Sequence, residues 1–469
     1  MLTHPATAPA AAPPVSAVLL QRFGAPGPRY TSYPTADRFV ETFGAQEFVH
    51  ALRQRRVNGG GAPLSLYVHI PFCESLCYYC ACNKIVTRHP ERAVRYLDYL
   101  EREIALLTEQ LGRGARVGQL HLGGGTPTFL DDAQLARLME MLQRAFALMP
   151  DAECSIEVDP RTVDVMRLQT LAELGFNRLS FGVQDFDHEV QLAIHRVQPA
   201  ARVFELCAAA RALGFRSINV DLIHGLPRQS VESFDRTLAQ VCELRPDRIA
   251  LYAYAHLPER FKAQRRIDSA QLPAAADKMQ MLAHAIAALG AAGYVHIGMD
   301  HFALPGDALA IAKREGRLHR NFQGYSTQPD CDLVALGVSA IGRIGATYSQ
   351  NAKTLQAYYD QLDQGRLPVE RGLALTRDDL LRREVIMAIM CQGKVDFRAM
   401  GQAHRVDFVD HFTPELAALG PLVAQGLVKL GDHELEVTQL GWYFVRAVAM
   451  VFDRHLQAER NLARFSRVA

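Results

Sequence analysis

The chain has 469 residues, of which 49% are hydrophobic and 22% charged, and its formal net charge is +1 at pH 7. This length exceeds one comfortable hydrophobic core, so we expect two or three structural units, and the composition excludes a disordered or membrane-like class. The near-neutral charge argues against a broad nucleic-acid surface, and no apolar run reaches the roughly 18 residues of a membrane span.

Residues 1–60 are rich in Ala, Pro and Gly, and they carry the distinctive stretch RYTSYPT at residues 29–35. They lack the basic start and apolar core of a signal peptide, so we interpret them as a flexible leader and N-terminal arm. Of the nine cysteines, five are scattered and are expected to be reduced, mostly buried thiols. We therefore expect a cytoplasmic protein without a disulfide scaffold.

Residues 61–375 alternate short apolar runs with segments of good helix formers. Six strands are predicted at residues 64–70, 117–122, 154–158, 178–183, 217–222 and 248–253. Helices are predicted between them, including residues 91–111, 133–148 and 230–244. Repeated strand–helix alternation implies parallel pairing, so we predict an α/β fold, specifically an open (β/α)6 partial TIM-type barrel with an extension.

Residues 376–469 have a different pattern, which predicts a mostly helical, winged-helix-like domain. Helices are predicted at 377–390, at 414–425 and from residue 439, with a hairpin turning at Gly431 and Asp432. The segment contains 12 acidic and 12 basic residues, so it has no basic footprint for DNA. A structural lid or docking role is the better interpretation.

Four cysteines crowd into LYVHIPFCESLCYYCACNK, with the spacing Cys73-x3-Cys77-x2-Cys80-x-Cys82, directly after the first predicted strand. Structural zinc normally takes four ligands, often as two separated C-x2-C pairs, and the sequence has no second pair. An iron–sulfur cluster held by three thiolates would leave one iron open for a further ligand, and we favour this interpretation. Cys82 is then an extra thiol, either a buried small residue or a functional group.

Residues able to bind a ligand follow the other predicted strands one after another. They are the glycines and Thr126 of HLGGGTPT, Glu157, Gln184, Asp221, and Tyr254 with the backbone of Ala255. Arg196 is the nearest cation after the fourth strand and could pair with a carboxylate. Because barrel chemistry gathers at the carboxyl ends of the strands, we expect one shared pocket. The structural alternatives are a simple turn for the glycines, an ion pair for Glu157 and a surface position for Arg196.

The CxxxCxxC spacing resembles the radical S-adenosylmethionine (SAM) superfamily, whose three cysteines bind a [4Fe–4S] cluster with an open iron that chelates SAM. From about residue 29 to the C-terminus, the chain also resembles the family of oxygen-independent coproporphyrinogen III oxidases (dehydrogenases). The likeness lies in YVHIPFC, CxCNKIVT, LHLGGGTPT, IEVDPR, GFNRLSFGVQDF, GMDHFA, HRNFQGYSTQ, LTRDDLLRRE and FSRV. CxCNK and RYTSYPT matter most, because related haem-chaperone proteins share the core but generally lack them.

The resemblance implies a role for individual residues. Cys73, Cys77 and Cys80 would bind the cluster. Contacts to the cluster-bound SAM would come from Tyr67, Gly124, Glu157 and Ile341. Contacts to a second SAM would come from Tyr79, Gly125, Thr126, Gln184, Arg196, Asp221 and Ala255. No side chain is assigned as an acid or base, because the radical arises at the cluster, with Tyr67, Glu157 and Arg196 in support. The family has Phe and Gly where this chain has Tyr79 and Ala81, which bears on the Tyr79 contact.

The reaction implied by the resemblance converts two propionates of coproporphyrinogen III into the vinyl groups of protoporphyrinogen IX, in anaerobic haem biosynthesis. The propionate β C–H bond is unactivated, so a 5′-deoxyadenosyl radical abstracts the hydrogen before CO2 and one electron leave. A low-potential flavodoxin- or ferredoxin-like donor is expected, as are a monomer and no nucleic-acid or membrane partner. Candidates for binding the substrate carboxylates and macrocycle are Arg29, Tyr30, His301, Arg320, Asn321 and Tyr325.

Three other functions stay open at this point. The first is a haem-binding or haem-transfer protein on the same core, without decarboxylase activity. The second is a zinc-stabilised interaction module that uses the winged-helix end. The third is a radical enzyme acting on a different tetrapyrrole.

Overall fold

The computed structural model of the protein describes residues 17–24 and 27–457. Its strands are β1 Leu64–Ile70, β2 Phe72–Cys73, β3 Ile85–Val86, β4 Ala115–Gly124, β5 Phe146–Val158, β6 Arg178–Gln184, β7 Ser217–His224, β8 Arg248–Ala253, β9 Val295–Gly298, β10 His301–Ala303, β11 His319–Asn321, β12 Gly324–Ser326, β13 Leu333–Leu336, β14 Ile341–Ile344, β15 Thr347–Asn351, β16 Val369–Ala374, β17 Lys394–Asp396, β18 Val428–Leu430 and β19 Glu434–Val437. The FSRV stretch at residues 465–468 and the first 16 residues of the predicted leader lie outside the described residues.

The helices complete the set of elements. They are α1 Ala17–Phe23, α2 Ala45–Val57, α3 Glu91–Leu111, α4 Asp132–Ala145, α5 Val165–Glu173, α6 His188–Ala193, α7 Ala200–Ala212, α8 Val231–Leu244, α9 Ala275–Ala291, α10 Ala308–Arg314, α11 Leu355–Asp363, α12 Arg377–Gln392, α13 Phe397–His404, α14 Phe408–His411, α15 Thr413–Ala418, α16 Gly420–Ala424, α17 Val445–Met450 and α18 Arg454–Gln457. Among residues 17–24 and 27–457, no helix combines the length and apolarity needed to cross a bilayer.

The protein is an α/β fold built on one 12-stranded mixed sheet, in the order β16-β15-β14-β13-β1-β4-β5-β6-β7-β8-β10-β9. The six predicted strands are β1, β4, β5, β6, β7 and β8, and neighbours among them pair in parallel. The sheet extends beyond them, because β13 adds a seventh parallel strand next to β1 and antiparallel strands close both edges. Parallel strands place all their carboxyl ends at one edge, where the predicted site residues fall.

The first strand and the first long helix show why this part of the chain forms the predicted elements. Strand β1 is buried at six of its seven residues, as expected of a parallel strand covered on both faces. Helix α3 has the predicted bounds, and its buried residues include Leu97, Leu100, Ile104 and Leu107. Their spacing of three and four residues forms one apolar stripe that packs against the sheet.

The end of the fourth helix differs from the prediction. Helix α4 ends at Ala145, and the predicted helical residues 146–148 instead begin β5. Phe146 and Leu148 pair in parallel with Ala115 and Val117 of β4, so backbone bonds to a neighbouring strand override the local helix pattern. Helix propensity is a local property, so it does not predict pairing with a neighbouring strand.

The C-terminal segment contains the predicted hairpin, because β18 and β19 pair antiparallel around Gly431, and β17 adds a third strand. The helix predicted at residues 414–425 is wrong in extent, because α15 and α16 are two short helices that meet at Leu419. Pro421 explains the break, since it has no backbone N–H and its ring clashes with the carbonyl four residues earlier. The predicted helix from residue 439 is a 3-10 turn at Gly441–Phe444 that leads into α17.

The N-terminal arm packs onto the rest of the protein. Tyr30 and Tyr33 are 1% and 0% exposed, and the Tyr30 hydroxyl donates to Asp453 Oδ2 at 3.0 Å. Helix α2 buries Phe48 and Leu52 in the same core. The RYTSYPT stretch therefore joins the main core to the last helices.

Candidate active site

A cavity of about 340 Å³ opens at the carboxyl ends of the parallel strands. All four clustered cysteines line it, together with most of the residues predicted from the strand ends. The predicted residues on its wall are Cys73, Cys77, Cys80, Tyr79, Gly124, Gly125, Thr126, Glu157, Gln184, Arg196 and Asp221. The fold therefore brings residues from five strands and the cysteine loop into one pocket.

Three predicted residues do not line this cavity. Tyr67 lies beside it, where its ring stacks on His121 with centroids 5.9 Å apart and its hydroxyl bonds to His69. Ala255 is coupled to the wall through Gln264, whose amide donates to the carbonyls of Ala255 and Tyr79. Ile341 begins β14, which pairs with β15 and β13 at the outer side of the sheet.

The glycine run after β4 is explained by close packing on three sides. A Cβ at Gly123 would lie 2.9 Å from Glu157 Oε1, and one at Gly124 would lie 2.7 Å from the His69 ring. A Cβ at Gly125 would lie 2.8 Å from the carbonyl of Phe72. Only glycine fits, so the strand end can pass between the cysteine loop and the Glu157 carboxylate.

The cysteine loop lies among hydrogen-bond donors. Cys77 Sγ accepts from Arg196 Nη1 at 3.5 Å and from Arg161 Nη2 at 3.6 Å, while the Thr126 hydroxyl donates to Cys73 Sγ at 3.5 Å. Burial raises the pKa of the Cys73 thiol to about 11. A hydrogen bond with Cys82, followed by the charge of Lys84, lowers the pKa of Cys80 to about 6 against the effect of burial.

Arg196 is not a surface residue, because it is 6% exposed and pairs with Asp159 Oδ2 at 3.1 Å. Asp159 also accepts from Arg161 at 2.7 Å, so one carboxylate holds two guanidinium groups beside Cys77. Gly182 makes room for this arrangement, because a Cβ there would lie 2.9 Å from Arg196 Nη2. Both guanidinium groups lie within hydrogen-bond distance of the Cys77 sulfur.

Two carboxylates in the cavity have opposite properties. Burial alone would raise the pKa of Glu157, but the hydrogen bond and charge of His121 and the Gly124 N–H hold it below its usual value. Burial and the nearby charge of Glu157 raise the pKa of Asp221 to about 7, although Asn219 and Ser180 donate to it. The cavity thus keeps one ionised carboxylate and one carboxyl that is partly protonated at neutral pH.

Sequence reasoning missed several residues of the wall. Asp159 and Arg161 stand in the IEVDPR stretch, directly after Glu157, and could have been found as a charged pair following a strand. Tyr252 lines the cavity, whereas Tyr254 packs in a separate apolar cluster around Val190. Gln184 has a left-handed φ of 68°, a conformation that local sequence does not predict for glutamine.

The six candidates for substrate binding separate into two groups. Arg29, His301, Arg320 and Tyr325 gather behind Tyr252, where Arg29 lies 5.1 Å from the Tyr252 ring centre and pairs with Asp300. Arg320 is 4% exposed, donates to the Arg29 carbonyl at 3.1 Å and lies over the Tyr325 ring. Tyr30 bonds to Asp453, and Asn321 accepts from the Gln323 backbone in a turn, so neither belongs to the group behind Tyr252.

The thiols of the cysteine loop fit an iron–sulfur cluster better than a single metal ion. Within the described part of the chain, no three His, Cys, Asp or Glu side chains are grouped to hold a metal ion, as a zinc site would require. A four-iron cluster binds each thiolate on a different iron, so its ligands stand further apart. Three thiols on one cavity wall, with arginine, threonine and lysine donors around them, fit such a cluster.

Comparison with known proteins agrees with this site. Residues 67–241 match the radical SAM superfamily, and residues 375–444 match the HemN C-terminal domain. The oxygen-independent coproporphyrinogen III oxidase of Escherichia coli is 50% identical over 96% of this chain and 97% of its own length. The enzymes of the same name from Pseudomonas aeruginosa and Helicobacter pylori are 48% and 46% identical, over 96% and 93% of this chain and 98% and 96% of their own lengths.

A solved structure has the same fold. The structure described as coproporphyrinogen III oxidase (HemN) from Escherichia coli, a radical SAM enzyme, superimposes with a TM-score of 0.88 at 50% identity. The match covers 91% of this chain and 97% of that one. This chain therefore belongs to the family of oxygen-independent coproporphyrinogen III oxidases, within the radical SAM superfamily.

Proposed function

We propose that the chain converts two propionates of coproporphyrinogen III into the vinyl groups of protoporphyrinogen IX, as an oxidoreductase of anaerobic haem biosynthesis. The observation that carries the proposal is the strand-end cavity, where the CxxxCxxC thiols face Glu157 and Asp221 in a chain 50% identical to enzymes of this name. The haem-transfer alternative finds no support among these relatives.

The cofactor positions follow from the residues on the wall. Cys73, Cys77 and Cys80 would hold a [4Fe–4S] cluster, which together with SAM supplies a 5′-deoxyadenosyl radical for hydrogen abstraction. Glu157 and the Gly124 backbone would bind the hydroxyl and amino groups of the first SAM, since an ionised carboxylate accepts hydrogen bonds from both kinds of group. Tyr67 would contact the first SAM from beside the cavity, and Ile341 would contact it from the outer strands.

A second SAM is proposed in the same cavity. Its contacts would be Tyr79, Gly125, Thr126, Gln184, Arg196, Asp221 and Ala255, of which all but Ala255 line the cavity. Arg196 would orient a carboxylate while it remains paired with Asp159. Two cofactors suit a reaction in which two propionates each lose one hydrogen atom, one CO2 and one electron.

The substrate would bind with its macrocycle against Tyr252 and its carboxylates toward the group behind that ring. Arg320 supports this, because its Nη1 atom is buried and has no hydrogen-bond partner within residues 17–24 and 27–457. An anionic propionate would satisfy that donor. Arg29 is held by Asp300, so it would act mainly by keeping Tyr252 in place.

The remaining assignments are also proposals. The parallel strands would curve into an open (β/α)6 partial barrel within residues 61–375, after an N-terminal arm in residues 1–60. Residues 376–469 would form a winged-helix-like lid or docking domain, which the family match at 375–444 supports. We also propose a cytoplasmic monomer that receives electrons from a flavodoxin- or ferredoxin-like donor, because free thiols suit a reducing compartment.

One anaerobic assay tests the proposal. Reconstituted protein is incubated with reductant, SAM and coproporphyrinogen III, and protoporphyrinogen IX and 5′-deoxyadenosine are measured. Two equivalents of 5′-deoxyadenosine for each porphyrin product are expected. Formation of 5′-deoxyadenosine without the product would preserve the radical chemistry and overturn the substrate assignment.

A further inference from the structure

A second groove lies on the outer side of the cysteine loop. It encloses about 380 Å³ and is lined by Leu76, Cys80, Cys82, Asn83, Lys84, Val86, Arg260, Phe261, Lys262, Ala263 and Arg266. The segment around Phe261 follows β8 and includes a 3-10 turn at Lys262–Arg266. The groove is thus formed by two loops that meet at the edge of the cavity.

The same short segment borders both the cavity and this groove. Cys80, Cys82 and Lys84 line each of them, and Cys82 is exposed to solvent. The cysteine loop is therefore a thin wall between the proposed cluster position and the protein surface. Because electron-transfer rates fall steeply with distance, this wall is a short route for an electron entering from outside.

The groove is strongly positive although the chain as a whole is nearly neutral. Its lining contains four cations, Lys84, Arg260, Lys262 and Arg266, and no carboxylate. Within the described part of the chain, none of these four is ion-paired with an acidic side chain.

The middle of the groove is apolar. Leu76, Phe261 and Ala263 form this part of its wall, and Val86 is 44% exposed at its edge. An apolar centre surrounded by like charges is typical of small, transient interfaces between redox proteins, in which charge guides the approach and a small contact allows rapid release.

We propose that this basic groove is the docking surface for an acidic protein electron donor, which passes one electron across the loop of Cys80 and Cys82. The inference rests on the proposed function, because it requires a cluster at those cysteines. In this step the donor is oxidised by one electron and the cluster is reduced by one electron, with no atom transferred. Arg260, Lys262 and Arg266 would steer the donor.

The test uses a purified flavodoxin of net negative charge as the probe. Its dissociation constant with the reconstituted enzyme is measured by calorimetry at several salt concentrations. The variant Arg260→Glu/Lys262→Glu reverses two exposed charges. We expect its dissociation constant to rise at least about tenfold at low salt, with a weaker dependence on salt than in the wild type.

Two further variants complete the design. Arg260→Gln/Lys262→Gln removes the charge without reversing it, and we expect an intermediate increase in the dissociation constant. Arg113→Glu/Arg377→Glu makes the same change of charge at exposed positions outside the groove and should bind flavodoxin as the wild type does. All variants should form 5′-deoxyadenosine normally when dithionite is the reductant.

Unchanged flavodoxin affinity in Arg260→Glu/Lys262→Glu would overturn the docking surface, as would an equal loss in the variant outside the groove. Failure of the wild type to form 5′-deoxyadenosine with dithionite would instead overturn the proposed function. The binding measurement is independent of that activity, so the two failures can be distinguished.

Discussion

Two carboxylates of this α/β fold, the buried Glu103 and the cavity residue Glu157, illustrate how the protein separates packing from chemistry. Glu103 on α3 is 2% exposed and accepts hydrogen bonds from Tyr358, Asn351 and the Gly337 N–H at 2.6–2.7 Å. Burial nevertheless raises its pKa to about 7. Glu157 at the cavity has fewer donors, yet its pKa is lowered because one donor is an imidazole that can carry charge.

The difference teaches that three neutral donors do not keep the fully buried Glu103 ionised, whereas the pKa of the part-exposed Glu157, which has an imidazole donor, is lowered. The pKa of Asp221 is also raised to about 7, by burial and by the charge of Glu157, against the hydrogen bonds from Asn219 and Ser180. The ionised carboxylate therefore lies where a polar ligand can reach it. Glu103, in contrast, joins the loop after β13 to α3 and α11 with no access to the cavity.

The largest expected effect comes from removing a thiol at the cavity. This change removes a ligand of the proposed cluster and leaves the packing around Glu103 intact. Cys77→Ala should lose the cluster and all detectable decarboxylation, with little change in folding. Iron and sulfide analysis and the brown absorbance near ~410 nm check this. Cys242→Ala, at a partly exposed thiol outside the cavity, is the control and should keep both. Full iron content in Cys77→Ala would contradict the ligand assignment.

The next effect compares the two carboxylates directly. Glu157→Gln should weaken SAM binding about 10- to 100-fold, because a hydrogen bond to a charged group contributes about 1.5–3 kcal/mol. Glu103→Gln should leave SAM affinity unchanged, since Glu103 does not line the cavity. Equilibrium binding of SAM to both reconstituted variants gives the answer. Equal losses in the two would show that Glu157 acts only through folding.

A smaller effect is expected on the substrate side of the cavity. Arg320→Ala should raise the KM for coproporphyrinogen III about tenfold by removing one charge-assisted contact, while the iron content stays normal. Arg317→Ala, at an exposed position nearby, is the matched control. Arg29→Ala should also weaken substrate binding, but it leaves Asp300 uncompensated and so also lowers stability. Unchanged KM in both variants would remove these two residues from the substrate site.

The smallest effect on activity is expected at Glu103, where the change is in the pH dependence of stability. Its pKa is raised to about 7 from 4.5, so its contribution is fully present below pH 4.5 and is lost as pH rises toward 7. The predicted loss is about 3 kcal/mol in the free energy of unfolding. Denaturant unfolding from pH 5 to 8 should show a steeper slope in the wild type than in Glu103→Gln, where Asp221 still contributes to the pH dependence.

Glu109→Gln, at an exposed position on the same helix, serves as its control and should keep the wild-type slope. A slope as steep in Glu103→Gln as in the wild type would place the responsible group elsewhere. That result would also remove the contrast between Glu103 and Glu157, because it would mean that Glu103 is already ionised at low pH.

The sequence by itself determined the features that depend on local order along the chain. The spacing of Cys73, Cys77 and Cys80 allows three sulfurs in one short loop to face one centre, and the alternation of strands and helices requires parallel pairing. Parallel pairing puts the ends of all those strands at one edge. For that reason the sequence alone predicts that Glu157, Gln184 and Asp221 share one pocket, and all three line the cavity.

Only the tertiary structure decided the features that depend on contacts distant in sequence. Residues 146–148 form a strand because β4 lies beside them, and Arg196 is buried because Asp159 pairs with it. Burial raises the pKa of Glu103, and the groups that enclose its carboxylate include Tyr358 and Gly337, more than 230 residues away, whose approach no local pattern encodes. Burial and charge pairing are properties of the assembled fold, so the electrostatics of the site could be assigned only from the structure.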